Sequence, residues 1–419
     1  MRAAVPSPGK RLAPLFKSRT PSTNSVVKPA SACSCFRQLK HRETGRTTIA
    51  AKCAVVCKKK WTEYQGIDNW EGLLDPLDDN LRREILRYGE FVEATYRSFD
   101  FNPSSPTYGT SKHPKSSLLA RAGIRGTGYR VTRYLHATCG VQMPHWASNV
   151  PSWMGTRSSW IGFVAVCKDG REISRLGRRD VVIALRGTGT CLEWIENLRA
   201  NLTCVGGDGD GGAEGPMVGS GYLSLYTSKT ATNMSLQDII REEVARIINK
   251  YSDRPLSLTI TGHSLGAALA ILSAYDISSN FSNAPMVTVI SFGGPRVGNR
   301  AFRHLLEKSK ANVLRIVNSD DLVTKVPGLK DDVARLPWLF RESREHAPSA
   351  YTDVGRELRL SSRECPYLSS VNLATCHELK TYLQLISGFV SSKCPFRATA
   401  KKVLNVNNSR SRDKGQYLN

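Results

Sequence analysis

The pentapeptide Gly-His-Ser-Leu-Gly, centred on Ser264, has the clearest chemical meaning in this chain. It follows the apolar, β-branched segment 256–261 and precedes the small-residue stretch 267–275, which predicts a serine on a sharp strand-to-helix turn. Gly262 and Gly266 would let the two backbones approach closely, because neither residue carries a side chain. The amides of the helix amino terminus would favour negative charge beside the serine. Ser264 is therefore a candidate nucleophile, and the alternative is an idle serine in a structural turn.

A serine hydroxyl is a weak nucleophile at neutral pH, so Ser264 would need a histidine base that a carboxylate orients. In sites built on such a turn the chain order is serine, acid, histidine, which leaves His346 and His377 as candidate bases. His377 is preferred because it lies at the predicted start of a late helix, although a surface histidine at a helix start would look the same. His263, inside the pentapeptide, is interpreted as a packing or supporting residue.

The carboxylate should follow a strand, where its side chain can reach the carboxyl edge of the sheet. The predicted strand 313–317 is followed by Asn318, Ser319, Asp320 and Asp321. Either aspartate is placed to orient the base. The one that does not would only cap a turn. Residue types and spacing therefore leave Asp320 and Asp321 as alternatives.

Acyl transfer passes through an oxyanion, which needs preoriented N–H donors. The amide of Leu265, directly after the candidate nucleophile, is one such donor. The second should come from a loop after an earlier strand. The segment Arg186-Gly187-Thr188 follows the apolar strand predicted at 181–185, so it is suitably placed.

The segment 191–198, just beyond that loop, is amphipathic and contains Leu192, Trp194 and Ile195. An amphipathic segment beside a hydrolytic site is typical of a lid that opens at a lipid interface. The alternative interpretation is an ordinary packed helix.

Hydrophobic periodicity predicts the elements that would position these residues. Helices are expected from about Asn80 to Phe99 with Asp79 as cap, after the capping box of Ser235 and Asp238, at 267–275, at 300–309 and near His377. Strands are expected at 129–136, 160–167, 180–185, 256–261, 286–292 and 313–317. Because strands alternate with helices, the sequence predicts an α/β fold with a mostly parallel central sheet covered by helices on both faces.

The charge of the chain is concentrated at its amino terminus. Of the net +23 over 419 residues, residues 1–60 supply +13, from fourteen lysines and arginines against the single acid Glu43. This segment is also rich in serine and threonine and cannot form a packed core, so it is interpreted as a disordered organelle transit peptide. A basic arm without a targeting role is the alternative. Nucleic acid is not an expected partner, because no phosphate-reading module accompanies the charge.

The remaining composition limits the other classes of function. Eleven scattered cysteines in a chain of this length indicate a reducing compartment, and they accompany neither a disulfide framework nor a metal-binding pattern. No stretch approaches 18 consecutive apolar residues, so no transmembrane segment is expected. We predict no cofactor and no metal site, and the sequence supports no prediction of oligomeric state.

Several segments together resemble the plant plastid acyl hydrolases of the lipase class 3 family, the phospholipase A(1) and galactolipase group linked to jasmonate supply. The segments are Trp-Glu-Gly-Leu-Leu-Asp-Pro-Leu at 70–77, Leu-Gly-Arg-Arg-Asp at 176–180, Arg-Gly-Thr at 186–188, the pentapeptide at 262–266, Phe-Gly-Gly-Pro-Arg-Val-Gly-Asn at 292–299 and Cys-His-Glu-Leu at 376–379. The resemblance covers roughly residues 61 to 389.

The resemblance implies an α/β-hydrolase fold that hydrolyses the sn-1 ester of plastid glycerolipids, phosphatidylcholine or galactolipids, and so supplies jasmonate precursors. By position it implies Ser264 as nucleophile, His377 as base and Asp321 as acid, with Thr188 and Leu265 as oxyanion donors. The alternatives are a triacylglycerol hydrolase and a hydrolase of soluble carboxylic esters. A non-catalytic receptor of the same fold is disfavoured, because all three positions can be filled.

The resemblance also implies the organisation and location of the protein. Residues 1–60 would be a chloroplast transit peptide, 61–394 the lipase domain, and 395–419 a basic, polar tail. The enzyme would act on membrane lipid as a peripheral protein of the plastid membrane surface. Its location would be the chloroplast, in the stroma, on a membrane or on the plastoglobule.

Overall fold

A computed structural model describes residues 60–102, 104–138, 158–188, 201–205, 215–251, 255–327, 351–365, 368 and 372–393. The helices in these ranges are α1 Trp61–Tyr64, α2 Asp79–Ser98, α3 Leu118–Arg121, α4 Gly170–Leu176, α5 Ser220–Thr227, α6 Leu236–Lys250, α7 Leu265–Asn280, α8 Arg300–Lys308, α9 Leu373–His377 and α10 Leu379–Gly388. The strands are β1 Tyr129–Thr138, β2 Ser158–Cys167, β3 Arg179–Leu185, β4 Leu202–Cys204, β5 Met217–Gly219, β6 Leu256–His263, β7 Met286–Phe292, β8 Gly298–Asn299, β9 Asn312–Asn318, β10 Tyr351–Thr352 and β11 Arg356–Leu360.

The central sheet has seven strands in the order β1-β2-β3-β6-β7-β9-β11. The pairs from β3 to β11 are all parallel, whereas β1 pairs with β2 and β2 with β3 in antiparallel fashion. A second, four-stranded sheet has the order β10-β8-β5-β4. The mostly parallel sheet that the sequence predicts is therefore confirmed, and the short strands of the second sheet are an addition to it.

Helices cover both faces of the central sheet, as the alternation along its strands requires. In β3, Val181, Ile183 and Leu185 belong to one buried cluster, which also contains apolar residues of α5, α6, α7 and α8. Val182 and Ala184 belong to the other cluster, together with residues of α2, α3 and α10. Strands that are buried on both faces read as nearly continuous apolar runs, and this explains why they could be located from the sequence.

The structure corrects two predicted helix boundaries. Asp78, not Asp79, caps α2, because its side chain accepts hydrogen bonds from the amides of Asn80 and Leu81. His377 was expected to open the last helix, but it is the final residue of α9, and α10 starts two residues later. The backbone of Glu378 is extended, so it separates the two helices.

The parallel register brings four segments to one edge of the sheet. Leu185 of β3 pairs with Gly262 of β6, and His263 at the end of β6 pairs with Phe292 of β7. Because parallel strands end at the same edge, the residues that follow β3, β6, β7 and β9 are neighbours there. This edge is called the carboxyl edge below.

No helix in the described part of the chain is both long and apolar enough to cross a membrane. Residues 1–59 of the predicted transit peptide and the whole carboxyl-terminal tail lie outside the described residues, so the domain boundaries stay predictions.

Candidate active site

Ser264 occupies a strained turn between β6 and α7. Its backbone has φ 57° and ψ −125°, a conformation that costs free energy for any residue with a side chain. The turn also requires two glycines. A Cβ on Gly262 would lie 2.3 Å from the backbone of Gly266, and a Cβ on Gly266 would lie 2.5 Å from the Leu185 oxygen. The Ser264 amide donates to the Phe292 oxygen at 3.0 Å, which ties the turn to β7.

The structure brings Ser264, His377 and Asp321 together at the carboxyl edge. His377 Nδ1 lies 2.7 Å from Asp321 Oδ2, and His377 Nε2 lies 2.9 Å from Ser264 Oγ. Because an ionised carboxylate only accepts hydrogen bonds, Nδ1 carries the proton. Nε2 is then the acceptor for the serine hydroxyl, which is the tautomer that a general base requires. All three side chains are buried, with Asp321 only 1% exposed.

Two further donors hold the Asp321 carboxylate. The Val323 amide donates to Oδ1 at 2.9 Å, and the Tyr382 hydroxyl donates to Oδ2 at 2.6 Å. Burial, together with the neighbouring Asp321 charge, raises the pKa of Tyr382 well above its usual value, so this phenol stays protonated and remains a donor. With its orientation fixed in this way, Asp321 can orient His377 without rotating.

Asp320 has a different set of partners, on the loop after β11. Its Oδ2 accepts hydrogen bonds from Ser361 Oγ and Ser362 Oγ, each at 3.0 Å, and from the Arg363 amide at 3.1 Å. Burial raises the pKa of Asp320, but these hydrogen bonds outweigh it and the pKa lies below the usual value. The sequence left Asp320 and Asp321 as alternatives. Their different hydrogen-bond partners distinguish them, because Asp321, and not Asp320, is hydrogen-bonded to His377.

The two expected oxyanion donors lie beside the serine. Leu265 is the first residue of α7, where a backbone N–H has no acceptor within the helix. Thr188 is buried in the segment that follows β3. Its neighbour Gly187 lies directly against the nucleophile, since a Cβ there would be 3.0 Å from Ser264 Cβ. The oxyanion roles of the Leu265 and Thr188 amides stay predictions.

Arg186 holds the segment that follows β3 in position through its own side-chain hydrogen bonds. Its Nη1 donates to the Gly187 oxygen at 2.8 Å, and its Nε donates to the Trp160 oxygen at 2.9 Å. The guanidinium lies 3.7 Å from the centre of the Phe99 ring. Burial lowers the pKa of Arg186 to about 10, so it keeps its charge at neutral pH. A fixed Gly187 carbonyl fixes the plane of the peptide that carries the Thr188 amide.

Tyr96 and His263 connect the segment 186–188, called the oxyanion loop below, to the backbone of the candidate base. The Gly187 amide donates to the Tyr96 hydroxyl at 2.9 Å, Tyr96 Oη lies 2.7 Å from His263 Nδ1, and His263 Nε2 lies 2.7 Å from the His377 oxygen. A carbonyl only accepts, so Nε2 of His263 carries the proton and Nδ1 accepts from Tyr96. Burial, followed by the nearby His377, lowers the pKa of His263 well below its usual value, which keeps the ring neutral.

Tyr96 and Tyr382 are the site residues that the sequence analysis missed. Tyr382 follows His377 by five residues, so its position in the next helix could have indicated proximity. Tyr96 lies 167 residues before its partner His263, in a helix whose periodicity predicts only packing. No local pattern identifies it.

Tyr96→Phe is expected to reduce turnover by roughly tenfold to a hundredfold, because the Gly187 amide and His263 lose their shared partner and the oxyanion loop shifts. The Michaelis constant should change less than turnover, since Tyr96 does not contact substrate in this role. Steady-state kinetics on a monomeric ester would measure both. Tyr226→Phe is the matched control, because Tyr226 donates to Asp276 at 3.0 Å in another buried part of the chain. A similar loss of turnover in both variants would contradict the proposed role of Tyr96.

The lid segment, with Leu192, Trp194 and Ile195, lies outside the described residues, as does His346. Both predictions therefore remain as the sequence left them. Within the described ranges, no group of three or more histidine, cysteine, aspartate or glutamate side chains is arranged to hold a metal ion.

A strained serine at the turn after a parallel strand, with a histidine and a carboxylate at the same sheet edge, defines a serine ester hydrolase of the α/β-hydrolase fold. Comparison with known proteins identifies the family of hydrolases to which the chain belongs. Residues 182–331 match the family described as lipase (class 3). The chain is 62% identical over 361 residues to phospholipase A(1) DAD1, chloroplastic, of Arabidopsis thaliana, over 83% of this chain and 80% of that protein.

Two other relatives are more distant. Phospholipase A1 EG1, chloroplastic/mitochondrial, of Oryza sativa subsp. indica is 40% identical over 90% of this chain and 85% of that protein. Galactolipase DONGLE, chloroplastic, of Arabidopsis thaliana is 38% identical over 78% of this chain and 69% of that protein. The chain belongs to the class 3 lipase family, and the resemblance seen in the sequence is confirmed.

Proposed function

We propose that the protein releases the fatty acid from the sn-1 position of plastid glycerolipids, phosphatidylcholine or galactolipids. The observation that carries the chemistry is the hydrogen-bonded series from Ser264 through His377 to Asp321. The relatives named phospholipase A(1) and galactolipase support the substrate class and the sn-1 position.

The geometry supports acyl transfer in two steps. His377 Nε2 accepts the proton as Ser264 Oγ attacks the ester carbonyl, and the Asp321 carboxylate stabilises the imidazolium that forms. The Leu265 and Thr188 amides stabilise the tetrahedral oxyanion, and each such donor contributes about 3 kcal/mol to the transition state. His377 then protonates the departing lysolipid oxygen. Water, deprotonated by the same nitrogen, releases the fatty acid from Ser264.

Fatty acid release from defined lipids tests this proposal. The protein would be given phosphatidylcholine and monogalactosyldiacylglycerol with different acyl chains at sn-1 and sn-2, and the free fatty acids would be identified. We expect the sn-1 chain to dominate for at least one of them. Triacylglycerol and a monomeric p-nitrophenyl ester represent the two alternatives. Faster release from either of these, with no release from the polar lipids, would contradict the proposal.

A receptor without catalytic activity is not favoured by the site. In such a protein the serine, the base and the acid need not be in hydrogen-bond contact, whereas here both contacts are 2.9 Å or shorter. We also retain the lid proposal for 191–198, in which Leu192, Trp194 and Ile195 turn toward acyl chains at a membrane. A peripheral position on the plastid membrane surface follows from the proposed substrate.

The chloroplastic relatives support a plastid location, and the proposed targeting signal is residues 1–60. A fluorescent protein fused after residue 60 should enter chloroplasts, because the segment is basic and nearly free of acids. The protein without residues 1–60 should keep its activity and remain in the cytosol. Imaging in leaf cells with plastid and mitochondrial markers would measure both results. A fusion that stays cytosolic would contradict the targeting role, and one found in mitochondria would contradict a plastid-only destination.

A further inference from the structure

Residues 101–168 form a stretch of 68 residues with eight lysines and arginines and no acidic residue, bounded by Asp100 and Asp169. All 36 acidic residues of the chain therefore lie in the other 351 positions. This stretch includes strands β1 and β2 of the central sheet. The charges of this stretch that lie within 101–138 and 158–168 consequently have defined positions in the fold.

Two of these charges lie near the carboxyl edge. Lys112 and Lys115 are exposed, and neither forms an ion pair with any residue in the described ranges. The Lys112 amide donates to the Ser98 oxygen at 2.7 Å, at the end of α2, two residues beyond Tyr96. The carboxylate of Asp100, on the same segment, accepts a hydrogen bond from the Thr107 hydroxyl at 2.7 Å. Lys115 Nζ lies 6.0 Å from the centre of the Tyr134 ring, and both ammonium groups remain exposed to solvent.

An exposed aromatic ring lies on the same segment. Phe101 is 39% exposed, and its ring contacts the Phe99 ring edge-on with centroids 4.5 Å apart. The Phe99 ring lies under the guanidinium of Arg186, which in turn binds the Gly187 oxygen. A continuous series of contacts therefore leads from exposed Phe101 to the oxyanion loop.

The strand directions place other cations of the stretch at the opposite edge. Strand β2 is antiparallel to β3, so its end and the following Lys168 lie away from Ser264. The Lys168 amide donates to the Gly128 oxygen at 2.9 Å, which places the turn containing Arg125 at that edge too. Arg125 and Lys168 are both exposed. They provide a matched pair of charges that faces away from the site.

We propose that Phe101, Lys112 and Lys115 form a docking surface for a bilayer that contains anionic lipid. This proposal rests on the proposed function in one respect, because the ester of a membrane lipid must reach Ser264 and the carboxyl edge must then face the bilayer. In that orientation the two lysines meet the head groups and Phe101 enters the interface. Positive side chains beside an anionic leaflet and an aromatic ring at the boundary are both favourable there.

Vesicle binding by the full-length chain carrying Ser264→Ala tests the docking surface without consuming the lipid. Partition would be measured on phosphatidylcholine vesicles with and without about 30% phosphatidylglycerol, which gives the bilayer a substantial negative surface potential. Each lysine is expected to raise the partition coefficient onto anionic vesicles roughly fivefold. The double variant Lys112→Gln, Lys115→Gln should therefore lower that coefficient roughly 25-fold. Arg125→Gln with Lys168→Gln removes the same charge and should lower it less than about threefold.

The matched pairs are compared with each other because residues 1–60 carry +13 and attract anionic vesicles in every variant. On pure phosphatidylcholine the two pairs should bind alike, whereas Phe101→Ser should weaken binding to both kinds of vesicle. High salt should remove the difference between the pairs, because it screens exposed charges. Equal losses in the two pairs, or no loss in the lysine pair, would overturn the docking surface.

A separate measurement distinguishes this result from the proposed function. Fatty acid release from detergent-dispersed lipid by the protein with Ser264 intact reports hydrolysis alone. Absence of release would remove the proposed function, whereas a lysine-dependent partition of the Ser264→Ala protein would still support the docking surface. Circular dichroism of each variant would show that the fold is retained.

Discussion

Ser264→Ala is expected to abolish ester hydrolysis, with a fall in turnover of about a million-fold, the size typical of a lost nucleophile in such a site. The change removes only the hydroxyl that lies 2.9 Å from His377 Nε2. Alanine and serine experience the same strain at φ 57°, so the turn itself should be preserved. Thermal unfolding should therefore shift little, and the loss would reflect chemistry rather than folding.

Initial rates of fatty acid release, together with circular dichroism, would measure this effect. Ser174→Ala is a suitable control, because Ser174 lies on α4 and donates only to the Gly170 oxygen, at 2.9 Å. Labelling with a fluorophosphonate gives a second readout, since the reagent should react with the native protein and not with the variant. A folded Ser264→Ala protein that retains substantial turnover would show that another residue is the nucleophile.

Asp321→Asn should lower turnover by about ten-thousand-fold, because an amide at this position can donate to His377 Nδ1 and so favour the wrong tautomer. The effect should be large because Oδ2 of Asp321 accepts from both His377 and Tyr382. Asp320→Asn removes a charge of the same sign from the adjacent residue, whose partners Ser361, Ser362 and Arg363 lie on the loop after β11. Its turnover should stay within a few-fold of the native protein, because the change leaves the hydrogen bond between Asp321 and His377 in place.

The comparison of the two aspartates is informative because the variants differ by one position in the chain. Initial rates on a monomeric ester would avoid any effect of membrane binding. The reverse ranking would mean that Asp320 orients the base and that the contacts around Asp321 serve only the fold. Equal, large losses would indicate that the loop as a whole had moved.

The turn at Ser264 could be located from the sequence because its requirements are local. An apolar strand, two glycines and a helix of small residues are needed wherever a strand and a helix pack so closely, and all of them lie within a short segment. The same holds for the central strands, which are buried on both faces and so form apolar runs. For α2 the periodicity located the helix, but the choice of cap between Asp78 and Asp79 depended on backbone direction at its first residue.

Identifying the residues that act with Ser264 required the tertiary structure. Chain order reduced the candidate bases to two, and the contact with His377 required α9 to pack at the end of the sheet. The choice between Asp320 and Asp321 required Tyr382 from α10 and Ser362 from the loop after β11. Adjacent residues have nearly the same sequence context. Only the groups that contact their side chains can therefore distinguish the roles of Asp320 and Asp321.

By itself, the sequence determined the α/β class, the turn that carries Ser264 and the family, since each of these follows from patterns within short segments. The tertiary structure alone decided that Asp321 contacts His377 and that Tyr96 joins the oxyanion loop to His263. Tyr96 and His263 are 167 residues apart, and their contact exists because α2 packs along β3 and β6. Hydrogen bonds between such distant residues depend on the packing of whole elements, and no spacing along the chain encodes them.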